Sequence, residues 1–243
     1  MGRLSLLDLT LPTPAANLAL DEALLEACDG GGPECLRCWE PDRPFVVVGY
    51  ANHVAREVDV EACAASGVPI LRRVSGGGTV VQLPGCLNYA VVLRLEHASE
   101  CATIGGANRF VLERVGRAIE IAAATPLRVA LCGDTDLVIG ERKFAGNAQR
   151  RLRHALLVHG SILLSAELDW MARLLRMPSR SPAYRAGREH AEFVLNLGLA
   201  RADVVAALRQ VWGAEPMAVD WPRTAVERLV REKYGQPDWN RQR

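Results

Sequence analysis

The sequence lacks an excess of either charge and lacks a long apolar run. Among its 243 residues, 29 Lys and Arg side chains face 28 Asp and Glu side chains, which gives a net charge of +1. Proteins held mainly by nucleic-acid phosphates carry a large basic excess, so nucleic acid is not an expected partner. No apolar run approaches the ~18 residues of a transmembrane helix, and Asp8 interrupts the apolar start. We expect no membrane partner and a cytoplasmic location.

A cysteine framework is also missing. The chain has seven cysteines, an odd number scattered along its length, which favours reduced thiols over disulfides. Cys35 and Cys38 form a Cys-x-x-Cys motif, but no second pair follows at the spacing of a zinc site. Because this motif lies in a strand-like stretch, it predicts a strand rather than a metal site.

The composition is that of a globular protein with mixed secondary structure. Hydrophobic residues make up 49% and charged residues 23%, so a chain of this length can bury a full core. Thr13-Pro14 predicts the start of a helix that ends near Gly30. Further patterns predict strands at 35–39, 45–48, 70–73, 88–93, 127–131, 136–139, 142–146 and 154–164, and helices at 57–65, 105–123, 167–176, 201–212 and 223–233. The irregular order predicts a single α/β (α+β) domain over residues 1–243, with a mixed, largely antiparallel sheet flanked by helices.

The strongest local feature is the run Arg72-Arg-Val-Ser-Gly-Gly-Gly-Thr79. Three consecutive glycines weaken a sheet unless the backbone must approach another group closely. Their N–H groups, next to two arginines and Ser75, would form a cradle for an anion. No Gly-Lys-Ser/Thr follows, and Val81 occupies the last glycine position of a dinucleotide motif, so neither common phosphate loop is present. A flexible hairpin loop with solvated arginines is the alternative.

A second feature runs from Asp136 to Gln149. Lys143 lies within an apolar strand pattern, where a fixed ammonium group could neutralise a phosphate or a carboxylate. Asp136 offers the kind of oxygen that holds Mg²⁺ together with nucleotide phosphates. Taken singly, Lys143 is more commonly an edge-strand lysine, and His159 in a later strand is more commonly a core polar residue. Cys86 and Cys132 are nearby thiols that would act as nucleophiles only with a lowered pKa.

The glycine run, the segment from Asp136 to Gln149 and the strand with His159 follow one another in the order typical of a known family. With these segments the chain resembles the lipoate–protein ligase A and octanoyltransferase family, relatives of the biotin ligases. The resemblance covers nearly the whole chain and is most specific at 72–80, 142–149 and 159–163. It implies the biotin/lipoate ligase catalytic-domain fold and activation of lipoate with ATP and Mg²⁺ to lipoyl-AMP. The lipoyl group would then pass to a lysine of a lipoyl carrier domain, of the 2-oxoacid dehydrogenase E2 or glycine cleavage H protein type.

The resemblance also implies roles for individual residues. Lys143 would be the catalytic residue, touching both the acyl carboxylate and the α-phosphate, and Asp136 would hold Mg²⁺. The acyl tail would lie along an apolar strand face near Gly76 and Gly77. The full set implied for ATP, Mg²⁺ and lipoate is Arg72, Arg73, Ser75, Gly76, Gly77, Gly78, Thr79, Val80, Val81, Asn88, Asp136, Lys143, Ala145, Gly146, Asn147 and His159.

The sequence departs from the ligase pattern at two places. Many ligases continue the glycine motif with His-Asp and Gly-Asn, whereas this chain reads Val81-Gln-Leu-Pro-Gly-Cys-Leu-Asn88. The chain also ends soon after Trp239, so we expect no C-terminal accessory domain. Because some shorter relatives need a separate small accessory protein, such a protein is a second expected partner.

A branch of the same family transfers octanoyl groups from acyl carrier protein without ATP, using a cysteine in the loop where Cys132 falls. Cys132 lies several residues closer to Lys143 than the cysteine of that branch, and Thr79 stands where the branch has arginine. Both differences favour the ATP-dependent ligase. A Cys132-dependent octanoyl or lipoyl transferase, and a non-catalytic protein that binds lipoate or a lipoyl domain, are the alternatives.

Overall fold

The computed structural model describes residues 4–97, 99–178, 181–217 and 220–242. Its strands are β1 (Ser5–Asp8), β2 (Cys35–Trp39), β3 (Phe45–Val48), β4 (Ile70–Arg72), β5 (Val80–Gln82), β6 (Cys86–Arg94), β7 (Ala130–Cys132), β8 (Asp136–Ile139), β9 (Arg142–Arg151), β10 (Ala155–Leu163) and β11 (Glu215–Pro216). Its helices are α1 (Pro14–Asp29), α2 (Val54–Glu57), α3 (Val60–Ala65), α4 (Ile104–Ala122), α5 (Asp169–Leu174), α6 (His190–Phe193), α7 (Arg201–Trp212), α8 (Arg223–Leu229) and α9 (Pro237–Asn240).

The described strands form a large sheet and a small sheet. The large sheet has the order β11-β1-β2-β6-β10-β9-β8-β7, and the small sheet has the order β4-β3-β5. From β2 through β7 every neighbouring pair is antiparallel, whereas β1 runs parallel to β2 and to β11. This architecture confirms the predicted mixed, largely antiparallel sheet flanked by helices.

Helices cover both faces of the large sheet. On one face, α4 and α7 pack over a core that includes Val91, Val115 and Leu208. On the other face, α1 packs over β6 and β10 and is itself covered by α8. The Thr13 hydroxyl accepts a hydrogen bond from the backbone N–H of Ala16, so α1 begins where the Thr13-Pro14 pair predicts. No helix in the described ranges is long and apolar enough to cross a bilayer.

The predicted helix at 57–65 is wrong in one respect, because it is interrupted. Val58 is extended and forms an isolated bridge with Leu175, which ends α2. The carboxylate of Asp59 then accepts the backbone N–H of Ala62 and starts α3. A side chain that caps a new helix competes with continuation of the previous one.

Other predicted elements differ in length. The strand at 142–146 extends to Arg151, and the strand at 127–131 is shortened to β7. The helix at 223–233 ends at Leu229 and continues as a π-helical turn, Val230–Tyr234. Three-residue β5 and two-residue β11 were not predicted, since so few residues show no period.

Candidate active site

A row of register partners crosses five antiparallel strands of the large sheet. Trp39 pairs with Asn88, Asn88 with Ser161, Ser161 with Gly146, and Gly146 with Asp136. Register partners present their side chains to the same face, which here is the face covered by α1. Neighbouring strands are ~4.8 Å apart, so three strand spacings put Trp39 about 14 Å from Gly146. The row forms the floor of the site.

A β-bulge brings Lys143 to this floor. Leu137 pairs with Ala145 but Val138 pairs with Lys143, so Phe144 is an extra residue in β9. In a regular strand, residues three apart point to opposite faces, whereas the extra residue puts Lys143 on the face of Gly146. A Cβ added to Gly146 would lie 2.8 Å from Lys143 Nζ, which shows how closely the ammonium group approaches this glycine.

The Lys143 ammonium group is held by a carboxylate. Lys143 Nζ lies 2.7 Å from Asp136 Oδ1, and the Tyr184 hydroxyl donates a 2.8 Å hydrogen bond to Asp136 Oδ2. Burial, together with the Asp136 charge, raises the pKa of Tyr184, so this hydroxyl keeps its proton. The backbone around Lys143 is fixed as well, because Leu195 N–H donates to its carbonyl oxygen at 2.9 Å. Lys143 is therefore held rather than freely mobile.

The glycine loop is wound around Arg73. Its guanidinium group donates to the carbonyl oxygens of Gly76, at 2.6 and 3.1 Å, and of Gly78, at 2.7 Å. Gly77 has a φ of +83°, a conformation that other residues rarely adopt. Burial lowers the pKa of Arg73 to about 10, and no carboxylate in the described residues forms an ion pair with it. A buried cation without a counter-charge favours a bound anion.

Two cavities meet at Lys143. The small cavity, about 140 Å³, extends from Lys143 to Leu18, Trp39 and Val47. The large cavity, about 420 Å³, extends from Lys143 to Arg176, Arg185 and His190. Their common wall consists of Gly78, Thr79, Val80, Thr135, Asp136, Lys143, Gly146 and Ser161. One ammonium group therefore faces two adjoining compartments.

A chain of buried polar groups supports the small cavity. Ser75 Oγ lies 2.6 Å from His159 Nε2, His159 Nδ1 lies 3.1 Å from Asp21 Oδ2, and Arg37 Nη1 lies 2.5 Å from Asp21 Oδ1. Burial alone would raise the pKa of Asp21, but Arg37 and His159 bring it below its ordinary value. The Asp21 carboxylate accepts from Nδ1 of His159 and so orients the imidazole ring, with Nε2 directed at the Ser75 hydroxyl.

A family model matches most of the chain. The model of the lipoyl protein ligase A/B catalytic domain covers residues 13–204. The chain belongs to this family. The match includes the glycine loop and both charged side chains of the common cavity wall.

Relatives within the family carry two different activities in their names. The chain is 29% identical over 270 residues to octanoyltransferase LipM of Moorella thermoacetica, covering 98% of this chain and 97% of the relative. It is 28% identical over 257 residues to lipoate-protein ligase A subunit 1 of Thermoplasma acidophilum, covering 98% and 96%. The protein is therefore similar to ligases and to transferases of the family at comparable identity.

Solved structures of lipoate-protein ligases share the fold. A ligase bound with ATP superimposes with a TM-score of 0.84 at 24% identity, covering 99% of both chains. The bipartite ligase of T. acidophilum, described with its E2 lipoyl domain, gives a TM-score of 0.84 at 24% identity, covering 99% of this chain and 97% of that chain.

Most residues predicted for the site line the two cavities of this family member. Some of them belong to the common wall. Among the others, the small cavity is lined by Arg73, Gly77, Asn88, Asn147 and His159, and the large cavity is lined by Val81 and Ala145. Like Arg73 and His159, the two asparagine side chains among them are already engaged. Asn88 and Gln82 form a reciprocal amide pair at 2.8 and 2.9 Å, and the Asn147 amide bonds Tyr89 and Thr135.

Arg72, Ser75 and Gly76 line neither cavity. Arg72 is fully buried, and its Nη1 donates to the carbonyl oxygens of Gly49, Tyr50 and Asn52. We expected Arg72 to contact a ligand, but in the described structure its side chain lies outside both cavities. Its guanidinium group instead holds the loop after β3. Ser75 acts through His159, and Gly76 contributes its carbonyl oxygen to Arg73.

Sequence reasoning missed several residues of the site. Asp21 lies in the helix that starts at Pro14, where nothing distinguishes it from the neighbouring Glu22 except its position on the buried face. Tyr184 and Arg185 lie in a 3-10 turn, Ala183–Arg185, between predicted helices and show no pattern. Only the fold brings Asp21 and Arg185 to the cavities and Tyr184 to Asp136.

No thiol lines either cavity in the described residues, although Cys132 lies next to Asp136 of the common wall. Six of the seven cysteines are buried, and burial raises the pKa of each. Cys132 is half-buried and forms the register pair of Asp136, yet no cysteine lines either cavity in the described structure. The Cys35-x-x-Cys38 motif is a buried strand, as predicted.

Proposed function

We propose that the protein is an ATP-dependent lipoate–protein ligase. The observation that carries the proposal is the position of Lys143 in the common wall of two cavities. Joining a carboxylate to a phosphate brings two anions together, and a fixed cation between them reduces their repulsion as charge develops in the transition state. A chain of this family with such a lysine is suited to acyl adenylation.

The small cavity suits the lipoyl chain. Its walls include the apolar side chains of Leu18, Trp39 and Val47, and its floor follows the row across the sheet toward Gly146. A length of about 14 Å between Trp39 and Gly146 leaves room for an extended eight-carbon acyl chain with its carboxylate at Lys143. The expectation that the tail lies near Gly77 is compatible with this arrangement, since Gly77 lines the same cavity.

The large cavity suits the nucleotide. It lies within the size range of ligand pockets and includes the loop residues Gly78 and Thr79 next to Lys143. Arg185 adds a second cation, which is 4% exposed and has no ion-pair partner among the described residues. The structurally similar ligase that is bound with ATP supports the same assignment.

Mg²⁺ fits the residues of the common wall. This ion is commonly bound by one or two carboxylates together with substrate phosphates. Asp136 would supply the carboxylate, because the remaining lone pairs of its oxygens are open after Lys143 and Tyr184 have bonded. No cluster of three or more His, Cys, Asp or Glu side chains able to hold a metal occurs in the described ranges, so the phosphates would complete the shell. When bound, Mg²⁺ neutralises phosphate charge.

The reaction then follows in two steps. The lipoate carboxylate attacks the α-phosphorus, the new O–P bond forms, and diphosphate leaves with the electrons of the broken P–O bond. The acceptor lysine amine attacks the acyl carbon of lipoyl-AMP, AMP leaves, and the amine releases a proton to solvent. Lys143 first bridges the two anions and then stabilises the departing AMP phosphate.

A thiol-dependent transferase is the second candidate function. The similarity to octanoyltransferase LipM favours it, and Cys132 is the half-buried thiol near Asp136. The position of Cys132 outside both cavity walls favours the ligase instead. The two functions differ in their acyl donor, which makes them experimentally separable.

The proposed acceptor is a lipoyl carrier domain of the E2 or H protein type. The similarity to a ligase described as subunit 1 supports a separate accessory protein as a second partner. The proposed compartment is the cytoplasm, which the seven free thiols support because disulfides are rare there.

The decisive experiment is intact-mass analysis of a lipoyl domain after incubation with the protein. We expect a lipoyl mass shift that requires lipoate and Mg-ATP. Lys143→Ala should lower the rate at least ~100-fold, because a preorganised charge is removed from the transition state. Cys132→Ala is the matched control and should keep the wild-type rate.

The opposite pattern would support the transferase. Modification from octanoyl carrier protein without ATP, abolished in Cys132→Ala, would reject the ligase. If wild-type protein with a cognate accessory protein binds lipoate but modifies no acceptor from either donor, the non-catalytic alternative holds.

A further inference from the structure

The chain contains two lysines, and each is held by a carboxylate that also binds a tyrosine hydroxyl. At Lys143, Nζ lies 2.7 Å from Asp136 Oδ1, and the Tyr184 hydroxyl donates to the other oxygen, Oδ2, at 2.8 Å. The Lys143 side chain is 25% exposed, and a lysine ammonium group ends a flexible stem with many rotamers. The position of the ammonium group therefore depends on the carboxylate that binds it.

The second lysine shows the same arrangement outside the candidate site. Lys233 Nζ lies 2.7 Å from Glu22 Oε1, and the Tyr234 hydroxyl donates to Glu22 Oε2 at 2.8 Å. The Lys233 side chain is 23% exposed, close to the value for Lys143. None of the three residues at this second position lines either cavity. The chain thus carries a matched reference for the arrangement at Lys143.

Tyr184 is itself fixed by residues of its own segment. Its ring packs against Phe193, with ring centroids 5.2 Å apart. The Arg188 guanidinium group donates to the Tyr184 carbonyl oxygen at 2.7 Å, and its carbon lies 5.4 Å from the Phe193 ring centroid. Tyr184 lines neither cavity, so its hydroxyl serves Asp136 rather than a ligand.

The same segment also holds the backbone of Lys143. Leu195 N–H donates to the Lys143 carbonyl oxygen at 2.9 Å, and Val194 forms an isolated parallel bridge with Lys143. The Arg142 guanidinium group donates to the Val194 carbonyl oxygen at 2.6 and 3.1 Å. Residues 184–195 therefore bind Lys143 at its backbone and, through Asp136, at its ammonium group. A segment that holds both ends of a flexible side chain determines where its charge lies.

We propose that Tyr184 is a positioning residue for acyl adenylation, which fixes the Asp136 carboxylate and so holds the Lys143 ammonium group at the junction of the two cavities. The inference rests on the proposed ligase activity. A carboxylate with one hydrogen-bond partner can rotate, and the ammonium group follows it. Because Tyr184 occupies Oδ2, Oδ1 stays directed at Lys143. A charged group stabilises a transition state best when its position is set before the reaction.

The first experiment isolates the adenylation step. The single-turnover rate of diphosphate release from lipoate and Mg-ATP is measured without acceptor. Tyr184→Phe keeps the ring against Phe193 but removes a donor to a charged group, so the maximal rate should fall about 10- to 100-fold. The half-saturating concentrations of lipoate and ATP should change much less, because Tyr184 lines neither cavity. Tyr234→Phe removes the matching donor at Lys233 and should keep the wild-type rate.

The second experiment observes the lysines directly and needs no activity. Protein labelled with ¹³C in lysine gives NMR signals from two residues, and the set that vanishes in Lys143→Ala belongs to Lys143. The two protons on Cε have different chemical shifts in a fixed side chain and average to one shift in a mobile side chain. We expect two Lys143 shifts in the wild type and one in Tyr184→Phe. The Lys233 signals should not change in Tyr184→Phe.

Three results overturn the proposal: a wild-type adenylation rate in folded Tyr184→Phe, two distinct Lys143 shifts in that variant, and one averaged Lys143 shift in the wild type. The third result applies even if Tyr184→Phe does not fold. A loss of rate in Tyr234→Phe as large as in Tyr184→Phe also overturns it. A wild-type protein that forms no adenylate contradicts the proposed ligase activity, whereas averaging of the Lys143 shifts in Tyr184→Phe still supports the role of Tyr184.

Discussion

Asp21 illustrates how a single buried charge supports the site. Its carboxylate lies against Arg37, which is fully buried, and it orients His159. Asp21→Asn would leave the guanidinium group buried without a counter-charge. We expect the free energy of unfolding at pH 7 to fall by about 3–5 kcal/mol in urea titrations.

A surface pair provides the control for this variant. Asp42 and Arg43 also form an ion pair, but their side chains are 70% and 60% exposed. Asp42→Asn should leave the free energy of unfolding unchanged within the error of the measurement, because solvent screens exposed pairs. Equal effects of the two substitutions would contradict the importance of burial.

The same carboxylate predicts a pH dependence. The folded-state pKa of Asp21 lies below its ordinary value of 3.8, so its contribution to stability is complete above that value and is lost as the pH falls through the folded-state pKa. The stability difference between wild type and Asp21→Asn should therefore be present above pH 3.8 and shrink as the pH falls below that value. Urea titrations across this range measure it, and a difference that grows on acidification would refute the assignment.

At the scale of elements, the turn after β3 and the glycine loop are in close contact. A Cβ on Gly49 would lie 2.2 Å from the carbonyl oxygen of Gly77 and 3.3 Å from Arg73 Nη2. Gly49→Ala must therefore displace the loop from the common wall. We expect the rate of acceptor modification to fall about 100-fold, as a misplacement of ~1 Å can cause.

The control is an alanine at a glycine with free space around it. A Cβ on Gly105, at the exposed start of α4, meets no atom within 4 Å. Gly105→Ala should keep the wild-type rate in the same mass-spectrometric assay. A wild-type rate in Gly49→Ala would show that the loop position does not matter for the reaction.

Sequence periodicity predicted the long helices and strands but not the β-bulge that places Lys143 on the same face as Gly146. The hairpin between β8 and β9 turns at Gly140-Glu141, where Gly140 has a φ of +59°. The bulge at Phe144 has no sequence signal, because Phe144 is as apolar as a regular strand residue. The prediction that Lys143 is held is confirmed by its ion pair, whereas its catalytic role stays a prediction.

At the scale of the whole molecule, the C-terminal helix α9 fixes a strand that leads into the glycine loop. Asn240 Oδ1 accepts the backbone N–H of Arg72 at 2.9 Å, across 168 residues of sequence. Its amide also donates to the Tyr234 carbonyl oxygen at 2.9 Å. Asn240→Ala should lower the free energy of unfolding by about 1–3 kcal/mol, because two buried backbone groups lose their partner.

Chemical denaturation followed by tryptophan fluorescence measures this effect. Gln236→Ala is the control, since Gln236 is exposed and its loss should cost less than about 0.5 kcal/mol. Retention of full stability in Asn240→Ala would contradict the proposed tie between α9 and β4.

From the sequence, only the two motif segments could be predicted to lie together at the site. The two motif segments were expected to bind the same ligands, and both contribute to the common cavity wall. The pairing of Asp21 with His159 and the approach of Tyr184 to Asp136 depend on contacts 138 and 48 residues apart. No local pattern encodes such distances. A single-domain organisation stays a prediction.

The row from Trp39 to Gly146 has a consequence for substrate length. The length of a pocket that runs across strands changes by ~4.8 Å for each strand it crosses, since backbone hydrogen bonds fix the strand spacing. The distance between the two ends of the row is therefore fixed by the strand spacing, and a single side-chain substitution on the floor does not change that spacing. For an acyl chain placed along this row as proposed, adaptation to a longer or shorter acid would fall to the side chains at the two ends of the row, because the strand spacing itself is fixed.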